Sequence, residues 1–514
     1  MKNKLIKTFI TIILFFGTKA FYAQAPNLGS AANFVLYTSV GAVTNSGIGF
    51  LTKLTGNVGS NSAPTITGFG NINGQMHYVG DPGSAACQAD LIIAYGQLNA
   101  AVPTFFPAPL IGNGATLNAG VYSITNATIT LSGELILDGQ GNPNAVFIFK
   151  LQGVFSSSTN ARVKLINGAK ACNVFWKVEG AVNMATGTTM RGTIVANNGA
   201  IDFAAGDTLE GRALSTNGAI TTSKLLGYTP IGCGSPVLLG PAAPSLGAIA
   251  CYATFTGIGA NTNVGISNFK GDVGSNSGLT TGYNPLLVTG MIHPVPDGST
   301  AAASSALGTA YAYLNGLAPG NIELLFPAQF GHNLVLTPHI YLMNGAVTFT
   351  DTLFLDAQGN ANAVFAILVN GAFSTSVNSH VILINGAQAK NVYWKIDGAV
   401  TINDNSVFNG TIISAGAIDL KTGVVVNGRV LTSVGALNIT AANVFITTSG
   451  LSTPSNKSIC SGDTFKLILG ASGTGNIYQW RKGNINISNG GHYSGVNSDT
   501  LVIFPFTSAD TAYN

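Results

Sequence analysis

Short apolar runs separated by glycine and asparagine make up most of this chain. Within each run, apolar and polar residues alternate with a period of two, which is typical of a β-strand with one buried face. Glycines at positions 180, 199 and 218 each begin a turn of about 18 to 20 residues that holds three such strands. This pattern predicts a right-handed, three-sided parallel β-solenoid.

One helix is expected to accompany the strands in each half of the chain. Helical spacing predicts helices over Ser84 to Val102 and over Ser299 to Leu317. Their apolar positions are Cys87, Leu91, Ala94, Tyr95 and Leu98, then Ala303, Leu307, Ala310, Tyr311 and Leu314. The third strand of each turn, as in AVFIFKL from Ala145, is apolar on both sides and needs a cover. We expect the helix to supply it.

A long internal repeat divides the chain. The segment LDGQGNPNAVFIFKLQGVFS at Leu137 recurs as LDAQGNANAVFAILVNGAFS at Leu355, an offset of 355 − 137 = 218 residues. VKLINGAKACNVFWKVEGAV at Val163 recurs at Val381 with the same offset. Residues 27–232 and 245–447 are therefore predicted to be two copies of one solenoid domain. A linker rich in proline and glycine, residues 233–244, joins them.

The two ends of the chain differ from the repeat. Residues 1–23 have the lysines, apolar core and small cleavage residue of a signal peptide, which predicts a secreted or cell-surface protein. Within 451–514, Cys460, Trp480 and the final SADTAYN resemble the first cysteine, core tryptophan and late tyrosine of an immunoglobulin-like β-sandwich. The second cysteine of that fold would come after Asn514, so we expect an incomplete domain. The predicted fold class is mainly β, with two solenoids, each with a flanking α-helix, and a partial β-sandwich.

Composition narrows the classes of function. Of 514 residues only 8% are charged, and the net charge is +3; mean hydropathy is +0.36. Disordered chains are highly charged and poorly hydrophobic, and nucleic-acid-binding surfaces need clustered Lys and Arg, so neither class fits. No internal stretch approaches the ~20 apolar residues of a transmembrane helix. The surface is therefore expected to consist largely of Thr, Ser, Asn, Ala and Gly.

The first strand of each turn presents the most uniform of the three predicted faces. In copy 1 its outward residues form two columns, with Thr128 beside them: Thr130, Ser156, Asn183, Asp202 and Thr221, then Ser132, Ser158, Ala185, Ala204 and Ser223. In copy 2 the columns are Thr348, Ser374, Thr401, Asp419 and Asn438, then Thr350, Ser376, Asn403, Lys421 and Thr440. The second strand, in contrast, is expected to expose Arg162, Lys164, Arg191 and Glu210, as an ordinary solvated face does.

A flat ladder of short hydroxyl, methyl and amide groups can order water. Strands stack ~4.8 Å apart and alternate residues along a strand repeat at about 6.7 Å, which is a grid near the oxygen spacings of ice. Long charged side chains would disturb such a water layer, and copy 1 has almost none there. The alternative is that Thr and Ser are present only because they suit strands. The pattern by itself leaves both interpretations open.

The cysteines indicate disulfides in an exported protein. Cys87 and Cys172 are both replaced in copy 2, as expected for a bonded pair. We therefore predict the disulfides Cys87–Cys172 and Cys233–Cys251, with buried free thiols as the alternative. The count of five is odd, and Cys460 is the cysteine left without a partner in the given chain.

Several long motifs of this chain are distinctive, namely LDGQGNPNAVFIFKLQG, VKLINGAKACNVFWKVEGAV, RGTIVA and LEGRALSTNGAIT, together with LGSAANF at Leu28 and GNVGSN at Gly56. They resemble the microbial ice-binding protein family of bacteria, fungi and algae. The resemblance implies a discontinuous β-solenoid beside a long helix. It also implies binding to ice by one flat face, with inhibition of ice growth or recrystallisation. Ice and ordered water would then be the partner of a monomeric protein.

The second copy departs from the family pattern in two places. Lys421 stands on the proposed face, and the start of the copy reads IACYATFTG. Both features weaken the expectation that copy 2 binds ice. Two tethered copies would bind more tightly than one only if both faces can meet the same surface.

Three other functions fit the residues less well. An enzyme would need clustered carboxylates or a base, but the acidic residues are few and scattered, namely Asp202, Asp207, Glu210, Asp404 and Asp419. Asp207 is expected to be a turn residue. The histidines share no metal-ligand spacing; they are His77, His293, His332, His339, His380 and His492. We therefore expect no catalytic residue, cofactor or metal.

A calcium loop and an adhesin are the remaining alternatives. LDGQGNPN, with Asp138, Asn142 and Asn144, has one carboxylate where calcium loops supply several, so we expect a strand-connecting turn. A secreted or cell-surface adhesin for glycans or proteins would use aromatic platforms or a larger apolar patch, which the proposed face does not show. It remains the alternative function.

Overall fold

The chain folds into two parallel β-solenoids that follow one another, each beside one α-helix. The computed structural model describes residues 23–62, 66–233, 237–317, 322–447, 465–468, 478–482, 485–498 and 500–504. Mainly β structure with two solenoids and two helices is confirmed. The signal peptide, apart from its last predicted residue, lies outside the described residues, as do Cys460 and the final SADTAYN.

Each solenoid has one eight-stranded sheet, here called its front sheet, which is formed by the first strand of every turn. From one end to the other, the N-terminal front sheet consists of Leu110–Gly112, Thr128–Ser132, Val154–Ser157, Val182–Met184, Ile201–Phe203, Ile220–Thr222, Val43–Asn45 and Ile66–Thr67. The C-terminal front sheet consists of Phe330–Gly331, Val347–Thr350, Phe373–Thr375, Val400–Ile402, Ile418–Leu420, Leu437–Thr440, Asn261–Val264 and Thr280–Thr281.

The order of these strands is discontinuous in sequence. Val43–Asn45 pairs with Ile220–Thr222, so the turns that come first in the chain are stacked on the turns that come last. In the C-terminal solenoid Asn261 is likewise the partner of Leu437. The helix then carries the chain back to the opposite end, where the remaining turns begin. Each solenoid is therefore closed by pairing between its first and last segments.

The second and third faces of each solenoid merge into one sheet, of 13 strands in the first and 14 in the second. Some strands run through the corner, such as Thr189–Ala196 and Thr208–Ser215. Gly192 at that corner has φ 109°, and a Cβ on Gly211 would lie 1.9 Å from the carbonyl oxygen of Gly192. Glycine is therefore required where the stacked corners meet.

The remaining strands complete these two larger sheets. In the N-terminal solenoid they are Phe34–Thr38, Lys53–Thr55, Asn57–Ser60, Met76–His77, Thr116–Asn118, Gly120–Ile124, Glu134–Asp138, Phe147–Leu151, Arg162–Ile166, Val174–Val178 and Leu226–Tyr228. In the C-terminal solenoid they are Tyr252–Ile258, Phe269–Lys270, Asp272–Ser275, Val288–Thr289, Ile322–Glu323, Leu334–Leu336, Ile340–Met343, Thr352–Asp356, Phe365–Val369, His380–Ile384, Val392–Ile396, Val407–Ser414, Val425–Val434 and Asn443–Phe445.

The helices begin two residues and one residue earlier than expected. Helix α1 spans Pro82–Ala100 and helix α2 spans Gly298–Asn315. Asp81 accepts a hydrogen bond from the backbone N–H of Gly83, and Asp297 caps α2 in a reciprocal capping box with Thr300. An aspartate side chain satisfies N–H groups that have no partner at a helix start, so the helix begins after it.

The helices cover the third faces, as the doubly apolar strands predicted. Cys87, Leu91, Ala94 and Leu98 of α1 belong to one buried cluster with third-face side chains, among them Ile148, Phe175, Val195 and Leu214. Helix α2 packs in the same way through Ala303, Leu307, Ala310 and Leu314. Tyr95 and Tyr311 are only partly buried at the edges of these clusters. Each helix thereby covers the third face of its solenoid and does not cover the front sheet.

Stacked aromatic rings fill one part of the N-terminal core. The ring centroids of Tyr122 and Phe149 are 5.0 Å apart, and those of Phe149 and Trp176 are 4.0 Å apart. The strands hold these residues directly opposite one another. The Trp176 indole N–H donates to the carbonyl oxygen of Arg191 at 2.9 Å, which satisfies its polar atom inside the core.

The cysteine pairing predicted from the sequence is wrong. Cys172 is bonded to Cys233, with Cα atoms 6.0 Å apart, whereas Cys87 and Cys251 are free. Cys87 lies on the buried side of α1, where the core occupies the space around it. Burial also raises the pKa of its thiol. The disulfide therefore joins the start of a third-face strand to the linker, and α1 is held by packing.

The described part of the C-terminal stretch contains short antiparallel strands. Phe465–Ile468, Thr500–Ile503 and Tyr493–Ser494 form one sheet, and Arg481–Lys482 pairs with Ile485–Asn486. Trp480 packs against the cluster that contains Leu501. An antiparallel sheet with a core tryptophan is compatible with a partial sandwich, and the immunoglobulin-like assignment stays a prediction.

Candidate functional site

The front sheets alternate between buried and solvent-facing side chains. In the N-terminal sheet Ile129, Val182, Ile201 and Ile220 point into the core and are fully buried. The residues that follow them point outward, because successive side chains of a strand lie on opposite faces. The outward side is therefore a continuous surface whose lateral order is set by strand pairing.

The central outward column of the N-terminal front sheet is in register over all eight strands. Cα pairing links neighbouring members from end to end, in the order Leu110, Thr130, Ser156, Asn183, Asp202, Thr221, Thr44 and Thr67. Five of these are the residues expected from the sequence. Leu110, Thr44 and Thr67 are additional. Seven of the eight are short polar side chains, and Leu110 stands at one end.

The C-terminal front sheet has a matching column of seven residues. In order they are Thr348, Ser374, Thr401, Asp419, Asn438, Thr262 and Thr281. Thr262 and Thr281 were not identified from the sequence, nor were Thr44 and Thr67, because these residues precede the helix and lie far along the chain from the other members of their columns. The motif GAVT at Gly41 resembles GAIT at Gly218, and this similarity was the available signal.

A second column flanks the central one on the side toward the second face. In the N-terminal solenoid it contains Ser132, Ser158, Ala185, Ala204 and Ser223, which are all half-buried. In the C-terminal solenoid it contains Thr350, Ser376, Asn403, Lys421 and Thr440, of which Thr440 is exposed and pairs with the exposed Val264. Thr128 lies on the other side of the central column, opposite Val154. The predicted residues therefore lie together on one sheet in each copy.

Hydrogen bonds between hydroxyl groups link neighbouring members of these columns. The hydroxyl oxygens of Thr130 and Ser156 are 3.3 Å apart, and those of Thr350 and Ser376 are also 3.3 Å apart. Such contacts between adjacent strands restrict the side-chain rotamers. The surface therefore presents its hydroxyl and methyl groups in a repeating arrangement.

Charge is distributed differently on the two front sheets. In the C-terminal sheet Lys421 Nζ lies 3.6 Å from Asp419 Oδ2, and Asn438 donates to Asp419 Oδ1 at 2.8 Å. At the position of Lys421 the N-terminal sheet has Ala204, so Asp202 is the charged residue of its two columns. Arg162 and Arg191 pair with Glu134 and Glu210 on the second face instead. The N-terminal front sheet is therefore the more uniform of the two.

Asp207 lies in the turn that leads from the front sheet to the second face, as expected. Its side chain is buried, and Oδ1 accepts the backbone N–H of Thr188 at 2.9 Å. Burial raises the pKa of this carboxyl group to about 6, against the effect of backbone hydrogen bonds. The corresponding turn of the C-terminal solenoid has Val424, which is fully buried. A buried valine thus stands in the other solenoid at the position that Asp207 occupies here.

The described residues also bear on metal binding, membrane crossing and the role of the LDGQGNPN segment. In the described ranges, no group of three or more His, Cys, Asp or Glu side chains is placed to hold a metal ion. None of the helices that the structure describes is both long and apolar enough to cross a membrane. Asp138 accepts the backbone N–H of Gln140 at 2.7 Å in the LDGQGNPN segment, which is a turn between two strands.

Comparison with known proteins points to one family. The model of the Ice-binding-like family matches residues 37–225 and 255–445. An ice-binding protein from Nostoc sp. (strain HG1) is 33% identical over 199 residues, which covers 38% of this chain and 71% of that protein. Ice-binding protein 1 of Shewanella frigidimarina is 31% identical over 218 residues, covering 37% of this chain but only 24% of that protein.

A solved structure matches both solenoids in one superposition. It is the crystal structure of an ice-binding protein from an Antarctic bacterium of the Flavobacteriaceae, with 55% sequence identity and a TM-score of 0.80. The match covers 82% of this chain and 99% of that one. The tandem arrangement of two solenoids is therefore shared by the two chains.

Proposed function

The chain belongs to the ice-binding family, and we propose that the outward sides of its two front sheets are the surfaces that bind ice. The observation that carries this proposal is the column of eight outward residues in the N-terminal sheet, which runs in register from Leu110 to Thr67. The two columns of this sheet contain one charged residue, Asp202. The proposed site comprises both columns of each front sheet, with Thr128 beside them.

The spacing of the groups supports this assignment. Neighbouring strands hold equivalent atoms ~4.8 Å apart, and the two columns are two residues apart along each strand, or about 6.7 Å. Hydroxyl groups anchor water by hydrogen bonds, while the methyl groups of Thr and Ala restrain it without binding it. The β-sheet fixes both kinds of group, so little conformational entropy is lost when an ordered water layer forms.

Ice binding also accounts for the scarcity of large apolar and aromatic side chains in the central columns. A glycan or protein adhesin would be expected to use aromatic rings or a broad apolar patch, and the central columns contain one large apolar residue, Leu110. Neither the family match nor the related proteins support the adhesin alternative. An ice-binding protein needs no catalytic residue, metal or cofactor, and we propose that it acts as a secreted or surface-exposed monomer.

The direct test is partition into growing ice. The purified chain is exposed to a slowly growing ice hemisphere on a cold finger, and the ice and liquid fractions are assayed for protein. We expect enrichment in the ice, with bovine serum albumin excluded under the same conditions. Exclusion of the folded chain would refute ice binding. A companion assay of ice recrystallisation should show inhibition by the protein that entered the ice.

A further inference from the structure

The two solenoids meet end to end through polar contacts that are specific and partly buried. Asn73, in the turn at one end of the N-terminal solenoid, is 3% exposed and accepts a hydrogen bond from the Tyr341 hydroxyl at 2.7 Å. Its amide nitrogen donates to the Thr337 hydroxyl at 3.0 Å. Tyr341 and Thr337 are also buried and lie at the facing end of the C-terminal solenoid, in the segment that follows α2. Buried polar groups with complete partners favour one relative placement of the two domains.

Two further contacts surround this buried group. Asn71 and Phe326 form a reciprocal pair, in which the Asn71 amide donates to the Phe326 carbonyl at 2.8 Å and accepts its N–H at 2.9 Å. The rings of Phe50 and His332 stack with centroids 4.3 Å apart. Together these contacts span the junction from one corner of the solenoids to the next.

The linker is attached at both of its ends. Cys233 is bonded to Cys172 of the N-terminal solenoid. On the other side, Leu239 accepts the N–H of Val364 at 2.9 Å, and Ala242 accepts the Tyr313 hydroxyl at 2.8 Å, both from the C-terminal solenoid. The linker therefore supports the docked arrangement and does not act as a free tether over these residues.

The contacts also define how the solenoids are oriented. Lys53 begins a second-face strand of the N-terminal solenoid and donates to the carbonyl oxygen of His332, which precedes the second-face strand Leu334–Leu336. At the other end of this strand, Thr55 forms a parallel bridge with Asn73. Asn73 in turn donates to the hydroxyl of Thr337, which follows Leu336. The two second faces thus adjoin with their strands running in the same direction. In each solenoid the chain passes from the front sheet directly into the second face across one corner. Since the two second faces are aligned, both front sheets lie on the same side of the molecule.

We propose that the two front sheets form one composite ice-binding surface, held in line by the junction around Asn73 and Tyr341. This inference rests on the proposed function of the front sheets. A rigid junction places the second sheet beside ice as soon as the first has bound, so the ordering cost of the second contact is small. The C-terminal sheet contributes area even where Lys421 lowers its own affinity.

The test distinguishes loss of the contact between the two solenoids from loss of ice binding by either solenoid. Asn73→Lys places an unpaired charge in the buried junction without changing either column. The matched control is Thr289→Lys, since Thr289 occupies the corresponding position at the opposite end of the C-terminal solenoid and is exposed. Small-angle X-ray scattering reports whether the two domains have separated. If scattering is unchanged, Phe50→Ala and Asn71→Ala are added until the domains separate.

We expect the separated protein still to enter ice, while the concentration needed to inhibit recrystallisation rises on the order of tenfold or more. Thr289→Lys should match the unmodified protein in both assays. Separation of the domains with no loss of potency would overturn the composite surface, while leaving the proposed function intact. If the unmodified chain does not enter ice, the proposed function itself fails.

A second measurement leaves the two solenoids in contact with each other. Thr130→Tyr and Thr401→Tyr each disturb one front sheet in the docked protein. A composite surface predicts that either substitution lowers the potency of the whole chain, and that fluorescently labelled wild-type protein stains one set of planes on an ice hemisphere. Full potency after Thr401→Tyr would contradict the proposal.

Discussion

The hydroxyl oxygens of Thr130 and Ser156 lie 3.3 Å apart on adjacent strands that are paired in register. The backbone ladder places the two Cα atoms opposite each other, and the contact between the hydroxyls then restricts both side chains. In the flanking column of the other solenoid, the hydroxyl oxygens of Thr350 and Ser376 are also 3.3 Å apart. The order of the proposed ice-binding surface therefore comes from the sheet and not from the ice.

Bulky substitutions on the central column should abolish most of the ice activity of the N-terminal sheet. Thr130→Tyr and Asn183→Tyr each add a ring that stands above the plane of the short side chains and keeps the surface from ice. We expect a large fall in thermal hysteresis. The unfolding temperature of the protein should not change, since both positions face solvent. Lys164→Tyr, on the second face, is the control and should keep full activity. Full activity in both column variants would mean that the central column of the N-terminal sheet does not bind ice.

The two solenoids allow a reciprocal exchange at one position of the flanking column. Lys421 and Ala204 occupy equivalent places, so Lys421→Ala should raise the ice activity of the C-terminal sheet and Ala204→Lys should lower that of the N-terminal sheet. The reason is that a long, strongly hydrated ammonium group disturbs the water layer over its neighbours. Thermal hysteresis of the full-length variants at equal concentration measures both effects. Changes in the same direction for both substitutions would contradict this explanation.

Loss of the Cys172–Cys233 disulfide should destabilise the N-terminal solenoid. The bond closes a segment of 61 residues and anchors the linker, and breaking such a bond costs about 2–4 kcal/mol. Cys172→Ser combined with Cys233→Ser is expected to lower the first melting transition in calorimetry, and a reductant should do the same to the unmodified protein. Cys251→Ser is the control, because that thiol is exposed and free. An unchanged transition in the double variant would show that the bond adds no stability.

Asp207 should make the N-terminal solenoid less stable as the pH rises from about 4 to about 6. Its folded pKa of about 6 is above the ordinary value of 3.8, so the folded state binds more protons than the unfolded state in this interval. Asp207→Val, which copies Val424, removes the buried charge. We expect the free energy of unfolding of the variant, relative to the unmodified protein, to increase by about 1 kcal/mol or more between pH 4 and pH 7.

Calorimetry at a series of pH values provides that comparison. The difference between the two proteins matters here, because other carboxylates contribute their own slopes to each separate curve. Val424→Ala is a suitable reference for the sensitivity of this turn to side-chain size, without any titrating group. A difference curve that is flat between pH 4 and pH 7 would show that Asp207 titrates normally.

Much of the fold and most of the candidate site could be predicted because they follow from local periodicity. Alternation with a period of two assigned Thr130, Asn183 and Thr401 to the outward side, since successive side chains of any strand must point in opposite directions. The repeat of 218 residues revealed the two domains, and helical spacing placed α1 and α2 within two residues of their true starts. These features depend only on residues close to one another in the chain.

Other features depended on contacts between distant segments. Thr44 joins the central column by pairing with Thr221, and Asn73 meets Tyr341 across the junction of the two domains. Cys172 bonds to Cys233 because the linker passes that corner, while packing turns Cys87 into the core. The sequence by itself thus determined which side of each strand faces water, because that depends on the backbone alone. Only the tertiary structure decided how far the column extends, which cysteines are joined and that both sheets face the same way, because packing and pairing between remote segments leave no periodic pattern in the chain.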